Sequence, residues 1–324
     1  MNRLTFVAIG ALALAGLTLS EAARAQAFPS QPIKLVVPFA PGGLPDTVAR
    51  LLAQRLQNPL GQPVVVENKA GGGGAIAAAA IAQAPADGHT LLISDGSMLA
   101  IAPLILKNAT YDATRDFVPV SLVGTAPLFM AVNSKVPANT LDEFIALAKA
   151  KPGALTYGSA GIGSIHHLTA EAAKEGLGIF MTHIPYRGSG ASVPALIGGE
   201  VDMVFASPPS LMGFVKSGQA RLLAINSAKR SNLAPDVPTL GEKIPGFDFA
   251  FTVVVMARAG TPRDVVNRLS TAIAAVVKSP DMLEALRVAG VEPIGGTPEQ
   301  LAQAMQAEAV RVAQASQRAG LKAE

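Results

Sequence analysis

Pro38-Phe39-Ala40-Pro41-Gly42-Gly43-Leu44-Pro45-Asp46 and Tyr157-Gly158-Ser159-Ala160-Gly161-Ile162-Gly163-Ser164 decide how this chain is read. Each follows a short apolar run with strand character and each opens a helical pattern, so both are strand-to-helix loops of an α/β fold. A loop of this kind leaves backbone N–H groups at a helix start, where partial positive charge favours an anion. Two such loops, more than a hundred residues apart, predict the capture of a small anionic ligand between two domains.

The flanking sequence alternates short β-rich runs with longer helical patterns, which predicts α/β layers with parallel strands. Residues 33–37 form a strand, followed by Val48, Leu51, Leu52 and Leu56 at helical spacing; 64–67 and 91–94 are further strands. The tract Gly71 to Gly74 leads into a small-residue helix over 75–84. Thr140 with Glu143 forms a capping box. Thr261-Pro262, Ser279-Pro280 and Thr297-Pro298 each put a capping residue before a proline, placing a helical region from about 262 to the C-terminus.

Two apolar runs, 118–132 and 249–257, are long for central strands of one sheet. If both cross between lobes, residues 26–125 plus 250–324 form one discontinuous domain and 126–249 the other. The cleft then lies at the carboxyl ends of the strands, where open α/β sheets bind ligands. The alternative is two sequential domains whose cores hold these runs.

The N-terminus reads as an export signal. Arg3 is a basic start, 4–19 is uncharged and mostly apolar, and Ala23-Arg24-Ala25 is a small-x-small cleavage site. With 16 residues, two of them Thr5 and Thr18, the stretch is short for a membrane span. Cleavage after Ala25 leaves 299 of the 324 residues, enough for two domains. Losing Arg3, Arg24 and Glu21 takes the 26 basic and 23 acidic residues to 24 and 22. That balance, with no basic cluster, argues against a nucleic-acid partner. Cysteine is absent, which excludes disulfides, thiol nucleophiles and thiolate metal sites.

Candidate binding residues follow from the two loops. Gly42 and Gly43 allow positive φ and close backbone approach; a tight turn would also explain them. Asp46, in the first turn, suits the helix dipole but repels a carboxylate, so its expected service is to orient the loop, bond water, or accept from a ligand hydroxyl or ammonium. Ser159 and Ser164 are short hydroxyl donors beside free N–H groups, or caps. Gly161-x-Gly163 resembles the start of a dinucleotide fingerprint, but His166 stands where the third glycine would be. The glycine tract at 71–74 lacks a following Gly-Lys-Ser/Thr. No cofactor is expected, and adjacent His166 and His167 lack zinc-ligand spacing. Arg187 can grip a carboxylate bidentately. Asp202 either joins the site or caps the next strand, and Leu44 and Ser97 are neighbours that could select the ligand.

The ordered set Pro38-Phe39-x-Pro41-Gly42-Gly43-x-x-Asp46, Val66-Glu67-Asn68-Lys69-Ala70-Gly71-Gly72-Gly73-Gly74, Asp87-Gly88-His89-Thr90-Leu91, Tyr111-Asp112 with Asp116-Phe117-x-Pro119-Val120, the second glycine loop with His167-Leu168, Pro185-Tyr186-Arg187-Gly188 and Val201-Asp202 resembles the Bug, or TctC-like, family of periplasmic solute-binding proteins. The resemblance spans nearly the whole mature chain. It implies an α/β, two-lobed Venus-flytrap fold with two crossover strands. It further implies a periplasmic monomer that closes on a small organic carboxylate and delivers it to the integral-membrane permease subunits of a tripartite tricarboxylate-type transporter. In the family one ligand carboxylate is held between the two loops largely by backbone groups. Carried onto this chain, that points to Phe39, Ala40, Gly42, Gly43, Leu44 and Asp46 in one lobe, and Ser159, Gly161, Ile162, Gly163, Ser164 and His167 in the other. The chain departs from the family pattern at Pro45, at Ala191 in place of a common proline, and at Thr252 in place of a common tryptophan.

Two other classes compete. An exported hydrolase or lyase would need a Gly-x-Ser-x-Gly elbow, a His-Glu-x-x-His helix or a cysteine nucleophile, none of which occurs; a triad of Ser164, His167 and Asp202 is its best form. A binding protein serving a membrane sensor would share every feature above.

Overall fold

The computed structural model describes residues 28–99 and 111–318. The export signal and its cleavage site lie outside them. The chain opens with β1 (Ile33–Val37), α1 (Leu44–Leu60), β2 (Val64–Asn68), α2 (Ala75–Ala82), β3 (Thr90–Asp95), the short α3 (Ala113–Asp116) and β4 (Phe117–Ala126). It continues through β5 (Phe129–Asn133), α4 (Leu141–Ala150), β6 (Thr156–Ser159), α5 (Ile165–Leu177), β7 (Thr182–Pro185), α6 (Ser189–Gly198), β8 (Met203–Ala206), α7 (Pro208–Lys216) and β9 (Ala220–Ile225). It ends with β10 (Phe251–Arg258), α8 (Arg263–Val277), α9 (Pro280–Val288), β11 (Glu292–Gly296) and α10 (Pro298–Arg318).

Two sheets result. The first has the order β11-β4-β10-β3-β1-β2, the second β7-β6-β8-β5-β9. The expected parallel pairing holds for β1 with β2 and β3, and for β6 with β7 and β8. By contrast β10 runs antiparallel between β3 and β4, and β5 antiparallel between β8 and β9. Helices pack on both sheets through apolar stripes. In α1 the buried Val48, Leu52 and Leu56 recur at helical spacing, and in α8 Val266, Leu269, Ile273 and Val277 do so.

The apolar run over 118–132 breaks at Pro127, which cannot donate to a ladder. Ala126 pairs with Phe251 in the first sheet and Phe129 with Ala206 in the second. The second long run behaves differently. All of β10 lies in the first sheet, at a length ordinary for a central strand; the return crossing is made by residues 226–250. Asn226 ties the two crossings together. Its side chain accepts from the Leu128 N–H at 2.7 Å and donates to the Phe249 carbonyl at 2.9 Å, while the Phe249 N–H donates to the Asn226 carbonyl at 2.7 Å. All this happens at a fully buried residue.

The helix starts follow their caps with local differences. Thr140 accepts from the Glu143 N–H, but the Glu143 carboxylate takes the Asn139 N–H rather than that of Thr140. Pro262 is itself the residue before α8, and Thr261 turns its hydroxyl to the Arg258 carbonyl. The region after 262 is not helical throughout: β11 interrupts it and extends the first sheet along β4.

Candidate functional site

The first loop leaves β1 and enters α1 with Gly43 as its cap residue. Gly42, at φ 91°, takes a conformation costly for other residues. Asp46 holds the loop from within: it accepts the Gly42 N–H at 3.0 Å, two bonds from Arg50 at 3.0 Å, and one from Asn68 at 3.0 Å. Burial alone would raise its pKa, yet these bonds outweigh it and hold the carboxyl below its usual range. The Asp46 oxygens are thus engaged by the protein.

The second loop is braced in the same way. Ser159 receives the Gly161 N–H at 3.1 Å and pairs with His183 Nε2 at 2.6 Å. Ser164 caps α5, accepting the His167 N–H and donating to the Gly161 carbonyl at 2.7 Å. The Gly163 N–H reaches His167 Nδ1 at 3.3 Å. His167 stacks on His183, and His183 on Tyr157, as one aromatic column inside the second lobe. Several N–H groups expected to await an anion, those of Gly42, Gly161 and Gly163, are therefore spent on the loops themselves.

The two lobes touch through backbone. The Ala40 N–H donates to the Arg187 carbonyl at 2.9 Å, so Arg187 joins the cleft by its main chain while its side chain is exposed. A Cβ on Gly188 would lie 3.0 Å from that of Phe39, and one on Gly73 would lie 2.5 Å from the Ile162 carbonyl oxygen. The glycine tract after β2 thus meets the second glycine loop across the cleft.

Between these contacts lies a narrow cavity. The first lobe contributes Phe39, Gly43, Leu44, Pro45 and Asp95; the second contributes His166, Ser189 and Ser207; Phe251 completes it. Most of these stand at the carboxyl ends of strands. Four helices begin at it: α1 after Gly43, α5 with His166 in its first turn, α6 at Ser189 and α7 after its cap Ser207. Their N-terminal partial charges create a field that favours an anion. His166 Nδ1 and Ser207 Oγ are buried and have no hydrogen-bond partner among the described residues. Since buried polar groups are nearly always paired, these two atoms call for a partner from outside the described residues, a bound water or a ligand group. Burial drops the His166 pKa to about 4, so the ring is neutral at neutral pH.

Of the residues expected from sequence, Phe39, Gly43 and Leu44 line the cavity, and Ala40, Gly161, Ile162 and Arg187 lie at the backbone contacts between the lobes. Ser97 is buried with its hydroxyl on Glu308, behind the cavity wall. Asp202 is not brought to the site. It lies at the opposite end of β6, accepting from the Thr156 N–H at 2.8 Å and hydroxyl at 3.1 Å. That distance also separates it from Ser164 and His167, so no triad forms. Among the described residues no acid or histidine group could hold a metal ion.

Sequence reasoning missed Asp95, Ser189 and Ser207 and weighed His167 above His166. A usable signal existed. Asp95 and Ser207 stand at the ends of β-rich runs, and Ser207 also precedes Pro208, the pattern of a capped helix start; Ser189 opens a helix after Gly188.

The chain resembles known proteins along most of its length. The sequence profile of the tripartite tricarboxylate transporter family receptor matches residues 48–321. Protein BugT of Bordetella pertussis is 38% identical over 302 residues, 93% of this chain and 93% of its own. A solved R. palustris protein with adipate superposes with a TM-score of 0.89 at 34% identity, covering 92% of this chain and all of the other. The periplasmic binding protein BugD superposes with a TM-score of 0.88 at 31% identity over 92% of this chain and all of its own.

Proposed function

Because the chain belongs to the tripartite tricarboxylate transporter receptor family, a family of periplasmic solute-binding proteins, we propose that it captures a small organic carboxylate between its lobes and passes it to the membrane subunits of such a transporter. The observation that carries this reading is the cavity between the lobes, ringed by four helix starts and lined by His166 Nδ1 and Ser207 Oγ, which have no partner among the described residues. One helix start contributes at most about 2 kcal/mol to an anion, and micromolar affinity needs about 8 kcal/mol. Four converging starts reach that order only at this ceiling, and the two glycine loops alone fall short of it even there. Exclusion of water on closure strengthens each contact. The domain division expected from sequence, 26–125 plus 250–324 against 126–249, is the mechanical unit of this proposal, with lobe closure as the binding step and export to the periplasm as its setting.

A thermal-shift screen over small carboxylates, adipate among them, tests it. A ligand at 100 times its Kd stabilises by about 2.7 kcal/mol, a clear rise in Tm. Small-angle scattering at saturation should show a smaller radius of gyration than without ligand. No stabilisation by any carboxylate, or an unchanged radius at saturation, would count against capture by closure.

A further inference from the structure

The cavity walls differ in chemistry. The second lobe offers neutral groups only, His166 with the hydroxyls of Ser189 and Ser207, each at the start of a helix. The first lobe offers a carboxyl, Asp95, at the end of β3. Its Oδ1 accepts the Met98 N–H at 2.7 Å. Behind it stands a second buried acid, Glu308, gripped by the hydroxyls of Ser97 and Thr252 and by the Thr252 N–H. No Lys or Arg lines the cavity among the described residues. Arg311 acts on Glu308 and Tyr111 faces Asp95, and neither supplies a cation to the cavity.

We propose that the ligand is an amino-carboxylate, bound with its carboxylate against the helix starts of the second lobe and its ammonium against Asp95. This rests on the carboxylate reading and goes beyond it. An anion suits the wall built of helix starts, hydroxyls and a neutral imidazole. At the opposite wall a second carboxylate would meet Asp95 with Glu308 behind it, and like charges at close range are disfavoured. A ligand hydroxyl satisfies Asp95 as a donor; an ammonium donates as well and brings the positive charge that no side chain lining the cavity supplies.

The test is calorimetric titration of the purified protein at neutral pH with the twenty standard L-amino acids, β-alanine and 4-aminobutanoate, beside adipate, succinate, butanoate and butylamine. At least one amino-carboxylate should bind tenfold or more tightly than its deaminated counterpart and than adipate. Asp95→Asn should erase that preference, and Asp95→Ser serves if Asp95→Asn folds poorly. If adipate or succinate binds most tightly and Asp95→Asn leaves it equal or tighter, the ammonium assignment falls while carboxylate capture stands. If butylamine binds as well as the best amino-carboxylate, or no probe binds, the carboxylate reading falls with it.

Discussion

Gly190 and Pro41 face each other across the cleft so closely that a Cβ on Gly190 would lie 2.0 Å from the Pro41 carbonyl oxygen. Gly190 sits in the first turn of α6, with a backbone that any residue adopts. Gly190→Ala therefore leaves the second lobe sound, and an alanine in a helix favours it by roughly 0.5–1 kcal/mol. What it blocks is lobe contact. Ligand affinity should fall at least tenfold while the ligand-free Tm holds or rises; full affinity in calorimetry would show that contact at this point is dispensable.

Asp95 makes stability depend on pH in an unusual sense. Burial, with a lesser push from Glu308, moves its folded pKa up to about 7, against about 3.9 when unfolded. Between those values the folded state holds a proton that the unfolded state has lost. Stability from this group is therefore complete below about pH 4 and declines as pH rises to about 7, by roughly 4 kcal/mol at most. Glu308, raised chiefly by burial, acts in the same direction. Urea denaturation of the ligand-free protein from pH 4.5 to 7.5 should show Asp95→Asn gaining on the parent as pH rises. A constant difference between them would refute the shift.

Asp202 separates structural from binding roles. Asp202→Ala strips Thr156 of two hydrogen bonds at a cost of about 1–3 kcal/mol, read as a lower denaturation midpoint. Because it sits at the far end of β6, affinity should stay within about twofold; a larger loss would place it in the binding path.

The sequence carried the fold further than it carried the site. Strand ends, glycine turns and proline-marked helix starts are local signals, so β1, β2, β3 and most helices were legible. The antiparallel placement of β10 and the strand β11 depend on which neighbours the chain finds in three dimensions, and no local pattern encodes that. For the site, glycines marked where the lobes meet, since positive φ and missing Cβ atoms have no substitute at Gly42, Gly73 or Gly188. Side chains were harder. Asp46 was open between orienting the loop, bonding water and accepting from a ligand, and its bonds to Arg50, Asn68 and Gly42 give it the first role. Asp95 falls just past the strand expected over 91–94 and carries no local signal of its own; only the approach of His166 and Ser207 from the other lobe makes it a wall of the cavity.

The bonds of Asn226 to Leu128 and Phe249 bind both interlobe crossings into one strap at a buried residue. Two separate ribbons would let the halves slide, twist and open independently, whereas a single axle leaves one angle free. Under the proposed closure, ligand length would then be read as an angle: a molecule too long would stop the lobes short of Ala40 meeting Arg187, and one too short would leave them unlatched. Spin-label pairs placed on either flank of the cleft should accordingly change distance in fixed proportion from one ligand to the next, and Asn226→Ala should break that proportion.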